Sequence, residues 1–491
     1  MDEAAAGNAV RTEIAATAWT GSRRSRPYNH GDVQQRIFPM NKPSPATPAI
    51  CREQALAAWQ RGDMAIAEQA FLHLLEVQPD DAEALQFLAT RQLGRGQMEH
   101  AIELLFAAHR AQPQDAAILH RLGEVQMLAG DLEAAADSLR KGLQVAPGMF
   151  VARLRLGVAL EQQGRRHEAM LAYFGAIDVA QAQGRWLDDA TTAPGLRDAV
   201  KHAVRYVAAG RRELFDAVIE PLRQRYGRSE LARVDQCLAI YLGEQAAVLP
   251  DPRQRPKFLY FPGIPSRAFY PRERFPAHAR LEAAADVIRE ELRAVLSHAQ
   301  DDLVPFLGTN SGEAVAAQLL GSSGMQEAAW DAFFFYRHGV RHDMQCARCP
   351  RTSALLDSMP LVRVRDHAPE TLYSVLRPGT HILPHRGVTN TRLVTHLPLI
   401  VPPDCALRVG GETHVWEEGR CVTFDDTFEH EAWNHSDQTR VVLILDSWNP
   451  DLSEAEQAAV TDLVAAIGDF NRSSETPAQP RLQEPSGSRA G

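Results

Sequence analysis

Two hydrophobic rhythms divide this chain. From residue 48 to residue 183 the apolar positions fall at helical spacing, and a longer register repeats over them. Gly62, Gly96, Gly130 and Gly164 stand 34 residues apart, Ala67, Ala101, Ala135 and Ala169 follow at the same interval, and so do Phe71, Leu105, Leu139 and Tyr173. Beyond residue 370 the runs become short, alternating and rich in branched or aromatic residues: Leu372–Leu376, Leu393–Val401, Ala406–Val409, Cys421–Phe424 and Val441–Asp446. Pro-Gly, Pro-Pro, Gly-Gly and Glu-Gly pairs separate them. The first rhythm predicts paired helices, the second a sandwich or barrel of antiparallel strands.

The 34-residue unit resembles the tetratricopeptide repeat, two antiparallel helices per unit. Glycine suits the turn between the helices, alanine their close approach, and the aromatic or leucine the groove. Pro79, Pro113 and Pro147 end the second helix in three of the four units. Repeats are expected at 48–81, 82–115, 116–149 and 150–183. The last lacks its proline, with Gln181 in that place, so its exit should be longer or irregular. Such units stack into a solenoid with a concave face, which suits docking of a protein or peptide. Residues 184–250 read as a helical extension and cap ending in a Pro-rich linker, and 280–299 as one amphipathic helix beside the β-domain at 256–470. Residues 1–47 and 471–491 are polar and aperiodic and read as disordered. Met40, just before the first helix, is a second candidate start to Met1.

Composition and charge exclude some classes. The 491 residues are 45% hydrophobic and 23% charged, enough for real cores, and the net charge of -10 argues against nucleic-acid partners and anionic membranes. No apolar run reaches membrane-spanning length, and the first residues lack the apolar stretch of a signal peptide. With six cysteines in so long a chain, a reducing, cytoplasmic setting is expected.

The chemistry concentrates between His385 and Pro450. His385 and His430 lie 45 residues apart, and Arg440 opens the apolar run VVLIL ten residues later. A distant His pair with an arginine on the following strand suits a non-haem iron site. The metal takes imidazoles, and a chelating dicarboxylate sets its far end on the guanidinium.

Four motifs in order, RPGTHILPHRGVTN, RLVTHLPL, FDDTFEHEAWN and RVVLILDSWNP, resemble the aspartyl/asparaginyl β-hydroxylases. The resemblance runs from Tyr260 to Glu456, about two-fifths of the chain. It implies a double-stranded β-helix (jelly roll) and iron(II)- and 2-oxoglutarate-dependent oxidation by molecular oxygen. The whole chain is then a multidomain α + β protein, an α-solenoid followed by that β-domain. Carried over residue by residue, the resemblance implies His385 and His430 as catalytic iron ligands. It implies Ser374, His396 and Arg440 as cosubstrate-binding residues and Arg392 as a substrate-binding one. Most oxygenases of this chemistry have a carboxylate two residues after the first histidine. Here, as in the family resembled, that residue is glycine, Gly387, which leaves the third place to water. A second departure is Val394, where family members carry another arginine.

Other clusters have weaker claims. Cys346 and Cys349 form a lone CxxC that fits a plain loop over the active site better than a zinc site, which needs four ligands. Asp425, Asp426 and Glu429 could supply a carboxylate to the metal, but fit better as residues ordering the turn before His430. His381, His414 and His435 read as strand, turn or loop histidines, and Trp433 and Trp448 as packing. Three functions compete: hydroxylation of Asp or Asn at the β-carbon in a protein or peptide, hydroxylation of an acyl chain or other small substrate, and a repeat adaptor whose β-domain has lost its chemistry. The repeats favour the first, and the intact His385, His430 and Arg440 argue against the third.

Overall fold

The computed structural model describes residues 47–306, 319–322 and 328–475. The segments 1–46 and 476–491, most of the two stretches read as disordered, lie outside it. Two compact units result: residues 47–210 with 471–475, and residues 211–470. The boundary cuts the helical stretch 184–250 inside a single long helix, Arg197–Tyr226, so its later part belongs with the β-domain. The final helix, Glu454–Glu475, carries ordered structure five residues into the stretch read as a tail.

The first unit is four tetratricopeptide hairpins. They are α1 (Pro48–Gln60) with α2 (Met64–Val77), α3 (Ala82–Gly94) with α4 (Met98–Ala111), α5 (Ala116–Leu128) with α6 (Leu132–Val145), and α7 (Phe150–Gln162) with α8 (Arg166–Ala182). At each hairpin turn the periodic glycine is left-handed, with φ of +83, +75, +82 and +76°. A Cβ there would touch nothing, so backbone conformation alone selects glycine. The periodic alanines and the Phe71, Leu105, Leu139 and Tyr173 series are all fully buried. Asp81, Asp115 and Asp131 cap helices, accepting from backbone N–H groups at 2.9, 2.8 and 3.1 Å, each worth about 1 kcal/mol. Without a closing proline, α8 runs to 17 residues where α2, α4 and α6 have 14.

In the second unit the strands form two antiparallel sheets. The strands in chain order are β1 (Phe269–Tyr270), β2 (Val304–Pro305), β3 (Leu320–Ser322), β4 (Trp330–Arg337), β5 (Val340–Arg341), β6 (Thr371–Leu376) and β7 (Thr380–His385). Then come β8 (Arg392–Ile400), β9 (Cys405–Val409), β10 (Glu412–His414), β11 (Val422–Phe424), β12 (His430–Asn434) and β13 (Arg440–Trp448). The larger sheet runs β1-β11-β8-β13-β6-β4-β2, with β5 on β4, and the smaller β10-β9-β12-β7-β3. The strands β6 to β13 thus divide into β11-β8-β13-β6 and β10-β9-β12-β7, the strand order of a jelly roll.

Alternation along the strands explains the layers. On β13, Val441, Leu443 and Leu445 pack outward with Leu281, Ile288 and Leu292 of two helices, α9 (His278–Ala283) and α10 (Ala285–His298). Val442 and the partly buried Ile444 turn inward toward Ile382, Leu407 and Ala432 of the other sheet. The amphipathic stretch 280–299 is therefore not one helix but two, broken at Ala284. The outer face of the larger sheet is covered, and its inner face is free to build a site.

Candidate functional site

Strands β7 and β12 pair so that His385 and His430 are direct partners across the smaller sheet. Their ring centroids are 4.1 Å apart, inclined at 52°. Nδ1 of His385 lies 2.8 Å from the Leu383 carbonyl, and Nδ1 of His430 lies 3.1 Å from that of Phe428. A ring nitrogen at that distance from a carbonyl oxygen must carry the hydrogen, which leaves both Nε2 lone pairs free. Burial lowers both basicities, and for His430 burial with the nearby His385 brings the pKa down to about 3. Both rings are therefore neutral near pH 7, the state in which imidazole binds a metal.

The rest of the cavity, about 170 Å³, is walled by the inner face of the larger sheet. Three adjacent strands set parallel rows along it: Leu372 and Ser374 on β6 after Glu370, Arg392, Val394 and His396 on β8, and Arg440, Ile444 and Asp446 on β13. Period-two alternation puts each row on one face, with Arg440 and Asp446 roughly 20 Å apart along β13. Ser374, His396 and Arg440 gather at one end. Glu370, Arg392 and Asp446 gather at the other, with Leu372, Val394 and Ile444 between. The site residues expected from the sequence thus line one cavity but split between its two ends.

At the first end Arg440 is fully buried, and burial pulls its pKa down to about 10. No carboxylate pairs with it among the described residues. Its Nη1 is 3.4 Å from Ser374 Oγ, and its Nε has no partner. The guanidinium lies over Trp416, 4.9 Å from the ring centroid, and Trp330 Nε1 donates to Ser374 Oγ at 2.9 Å. His396 Nδ1 is also buried without a partner, and the ring is held well below its ordinary pKa by burial and by Arg440. Trp330 and Trp416 were not foreseen, since no spacing ties either to the histidines.

At the other end Arg392 Nη1 donates to Asp446 Oδ1 at 3.0 Å, and its Nη2 lies 3.4 Å from Asp426 Oδ2. Asp426 is buried, its Oδ1 unpartnered, and burial raises its pKa to about 7. Asp425 orders the turn before β12: it accepts from Thr427 N and Gln254 Nε2 at 2.9 and 2.6 Å. Glu429 is half-exposed and pairs with Arg386 at 3.3 Å. Among the described residues, no three His, Cys, Asp or Glu side chains gather around one point to hold a metal ion.

A profile of the aspartyl/asparaginyl beta-hydroxylase family matches residues 282–450. The human aspartyl/asparaginyl beta-hydroxylase is 36% identical over 136 residues, 28% of this chain and 18% of that protein. The rat aspartate beta-hydroxylase domain-containing protein 2 is 31% identical over 261 residues, 51% of this chain and 70% of that protein. This chain belongs to the aspartyl/asparaginyl beta-hydroxylase family. A further relative, the ornithine lipid ester-linked acyl 2-hydroxylase of Rhizobium tropici, is 35% identical over 179 residues, 36% of this chain and 58% of that protein.

The remaining residues singled out in this family member sit apart from the cavity. Cys346 and Cys349 do not form a loop over the cavity: Cys346 lies on the helix Asp343–Arg348, and both are buried in the core between α10 and the larger sheet. His381 lies against Glu431 at 2.7 Å, and His435 stacks on Trp433 at 5.8 Å. His414 packs against Phe269 at 5.6 Å. No helix among the described residues is long and apolar enough to cross a membrane.

Proposed function

We propose that this protein is an iron(II)- and 2-oxoglutarate-dependent dioxygenase acting on a protein or peptide, at the β-carbon of Asp or Asn. The observation that carries the reading is Arg440. A guanidinium buried without a counterion is costly, and a site keeps one where an anion will pair with it. Its unpartnered Nε, the unpartnered His396 Nδ1 and the Ser374 hydroxyl suit the far carboxylate and neighbouring atoms of a dicarboxylate. The paired, neutral His385 and His430 suit a divalent iron, with water in the third place.

Iron(II) with 2-oxoglutarate and oxygen supplies the oxidation of the C–H bond when bound. The chain supplies position and dryness. The carbonyls of Leu383 and Phe428 fix both imidazole tautomers, so the lone pairs need no reorganisation. Trp330 orients the Ser374 hydroxyl, and Trp416 holds the guanidinium plane. Leu372, Val394 and Ile444 exclude water from the middle of the cavity. The repeats would dock the macromolecular substrate.

A second reading, oxidation of an acyl chain, has in its favour that apolar stripe and the kinship with an acyl 2-hydroxylase. The test is capture of cellular partners on the His385→Ala protein, then mass spectrometry for one added oxygen after exposure to the wild-type enzyme. Protein products that need both iron(II) and 2-oxoglutarate support the first reading. Products confined to the lipid fraction would replace it with the second. Turnover without 2-oxoglutarate would remove both.

A further inference from the structure

The first repeat leaves open a face that the later repeats keep covered. In each later hairpin the first helix packs against the second helix of the hairpin before it, α3 on α2, α5 on α4 and α7 on α6. At one register of those first helices, Ala84, Ile118 and Ala152 are 0, 0 and 1% exposed. Ile50, at the same register of α1, is 46% exposed. The loss of cover continues on α2. Ala70 is half-buried where Leu104, Ser138 and Ala172 are buried, and Ile66 is 59% exposed. The end of a solenoid is ordinarily closed by a polar face. Gln54 meets that need, standing where Leu88, Leu122 and Leu156 are buried, but Ile50 and Ile66 do not.

The charges on this face are complementary to themselves. Ala57 is small, half-buried and central on α1. Glu53 and Arg61 stand four residues to either side of it on one stripe, both exposed, and Ile50 and Met64 stand seven to either side. Laid antiparallel across Ala57, two copies of α1 set each Glu53 against the other copy's Arg61 and each Ile50 against the other's Met64, the reciprocity of a two-fold contact. Laid parallel, they would set Glu53 against Glu53. Arg61 now lies 3.2 Å from Asp63, an exposed contact that costs little to give up. Helices of 13 and 14 residues present a face roughly 20 Å square. That is small for a permanent dimer and enough for a reversible one. We infer that this chain pairs with a second copy through the open face of its first repeat, with Ile50 and Ile66 as apolar contacts and Glu53 and Arg61 as the crossed charges.

The experiment is sedimentation equilibrium on the full 491-residue protein. It should show a monomer–dimer equilibrium with a Kd on the order of 10 μM or below. Ile50→Glu/Ile66→Glu should weaken association at least about tenfold. Its circular dichroism should not change, because neither side chain is buried within the hairpin. Glu53→Arg and Arg61→Glu each bring like charges together and should each weaken association about tenfold. An equimolar mixture of those two variants restores unlike charges at both crossings, so it should associate within about threefold of wild type. A full-length protein that stays monomeric up to about 100 μM, a dimer that Ile50→Glu/Ile66→Glu leaves intact, or a mixture no tighter than its two components would each overturn the inference. In the first case a chain beginning at Met40 is measured as well. If that chain dimerises, residues 1–39 are what covers the face, and if it does not, the face belongs to a different protein.

Discussion

Gly387 and Asp426 occupy each other's space. The Gly387 N–H donates to the Asp426 carbonyl at 2.6 Å, and a Cβ on Gly387 would overlap the Asp426 carboxylate. Where most oxygenases of this chemistry carry their carboxylate two residues after the first histidine, this chain has room for none, because an acid from the turn before β12 fills the place. The glycine is thus required by the neighbouring acid, and not by its own backbone conformation.

That contact gives the first prediction. Gly387→Ala should disturb the turn that carries Asp426 and, through it, His430, and lower iron-dependent turnover at least about tenfold, as small misplacements in a site do. Asp426→Gly should relieve the clash, so the double variant Gly387→Ala/Asp426→Gly should hold iron better than Gly387→Ala alone. Iron content by elemental analysis and succinate formation check this. Equal iron loading in wild type and Gly387→Ala would refute the steric reading.

A second prediction concerns acid. His278 is buried against Phe275, ring planes stacked at 4.9 Å, and burial brings its pKa down to about 4. The folded pKa lies below the unfolded value of about 6.5, so below pH 6.5 the unfolded chain binds the extra proton. Stability therefore falls as pH drops from 6.5 toward 4, by about 2 kcal/mol at pH 5 from this residue. His278→Gln should remove that share of the acid sensitivity. Urea midpoints at pH 7 and pH 5, followed by tryptophan fluorescence, would move in parallel for both proteins if His278 were not the cause.

Much of this architecture is legible in the residue pattern, and the exceptions have physical reasons. The repeats announce themselves because four copies impose the same left-handed turn and the same close contacts. Strands β6, β8, β9, β11 and β13 are visible because one face is apolar over several residues. The two strands that carry the histidines are harder to delimit. β7 contains Pro384 and is only partly buried, and β12 has five residues, of which Glu431 serves an ion pair with His381. β4 is buried on both faces and so shows no alternation. The Gly387–Asp426 exclusion and the split of the cavity into two polar ends depend on register between strands far apart in sequence, which no local pattern encodes.

A third prediction separates docking from catalysis. The helix Arg197–Tyr226 spans the boundary between the two compact units, so a truncation should start before it. A chain beginning at Arg197 should keep iron and 2-oxoglutarate binding, since His385, His430 and Arg440 all lie in the second unit. If the repeats dock substrate, it should lose about ten- to a hundredfold in efficiency on the full protein substrate and little on a short peptide. Circular dichroism first establishes that it is folded. Undiminished use of the full substrate would reduce the repeats to a scaffold.

The last prediction sets stability against function at Arg440. Burial lowers its pKa to about 10 from the ordinary guanidinium range, so its charge is a cost to the folded state at every pH below 10 and disappears only above it. The size is about 3 kcal/mol at neutral pH, by the same linkage. Arg440→Met keeps the length of the side chain and removes the charge, so the ligand-free protein should become more stable. The same change should remove the partner of the cosubstrate carboxylate and cost roughly 2 to 5 kcal/mol of 2-oxoglutarate binding. Arg440→Lys should recover only part of that binding, because an ammonium lacks the planar fork. Thermal melts with and without 2-oxoglutarate read both effects in one titration. The wild type should start lower and rise on ligand addition, and Arg440→Met should start higher and stay flat. A variant that melts below the wild type without ligand and still rises with it would mean that Arg440 supports the sheet and not the ligand.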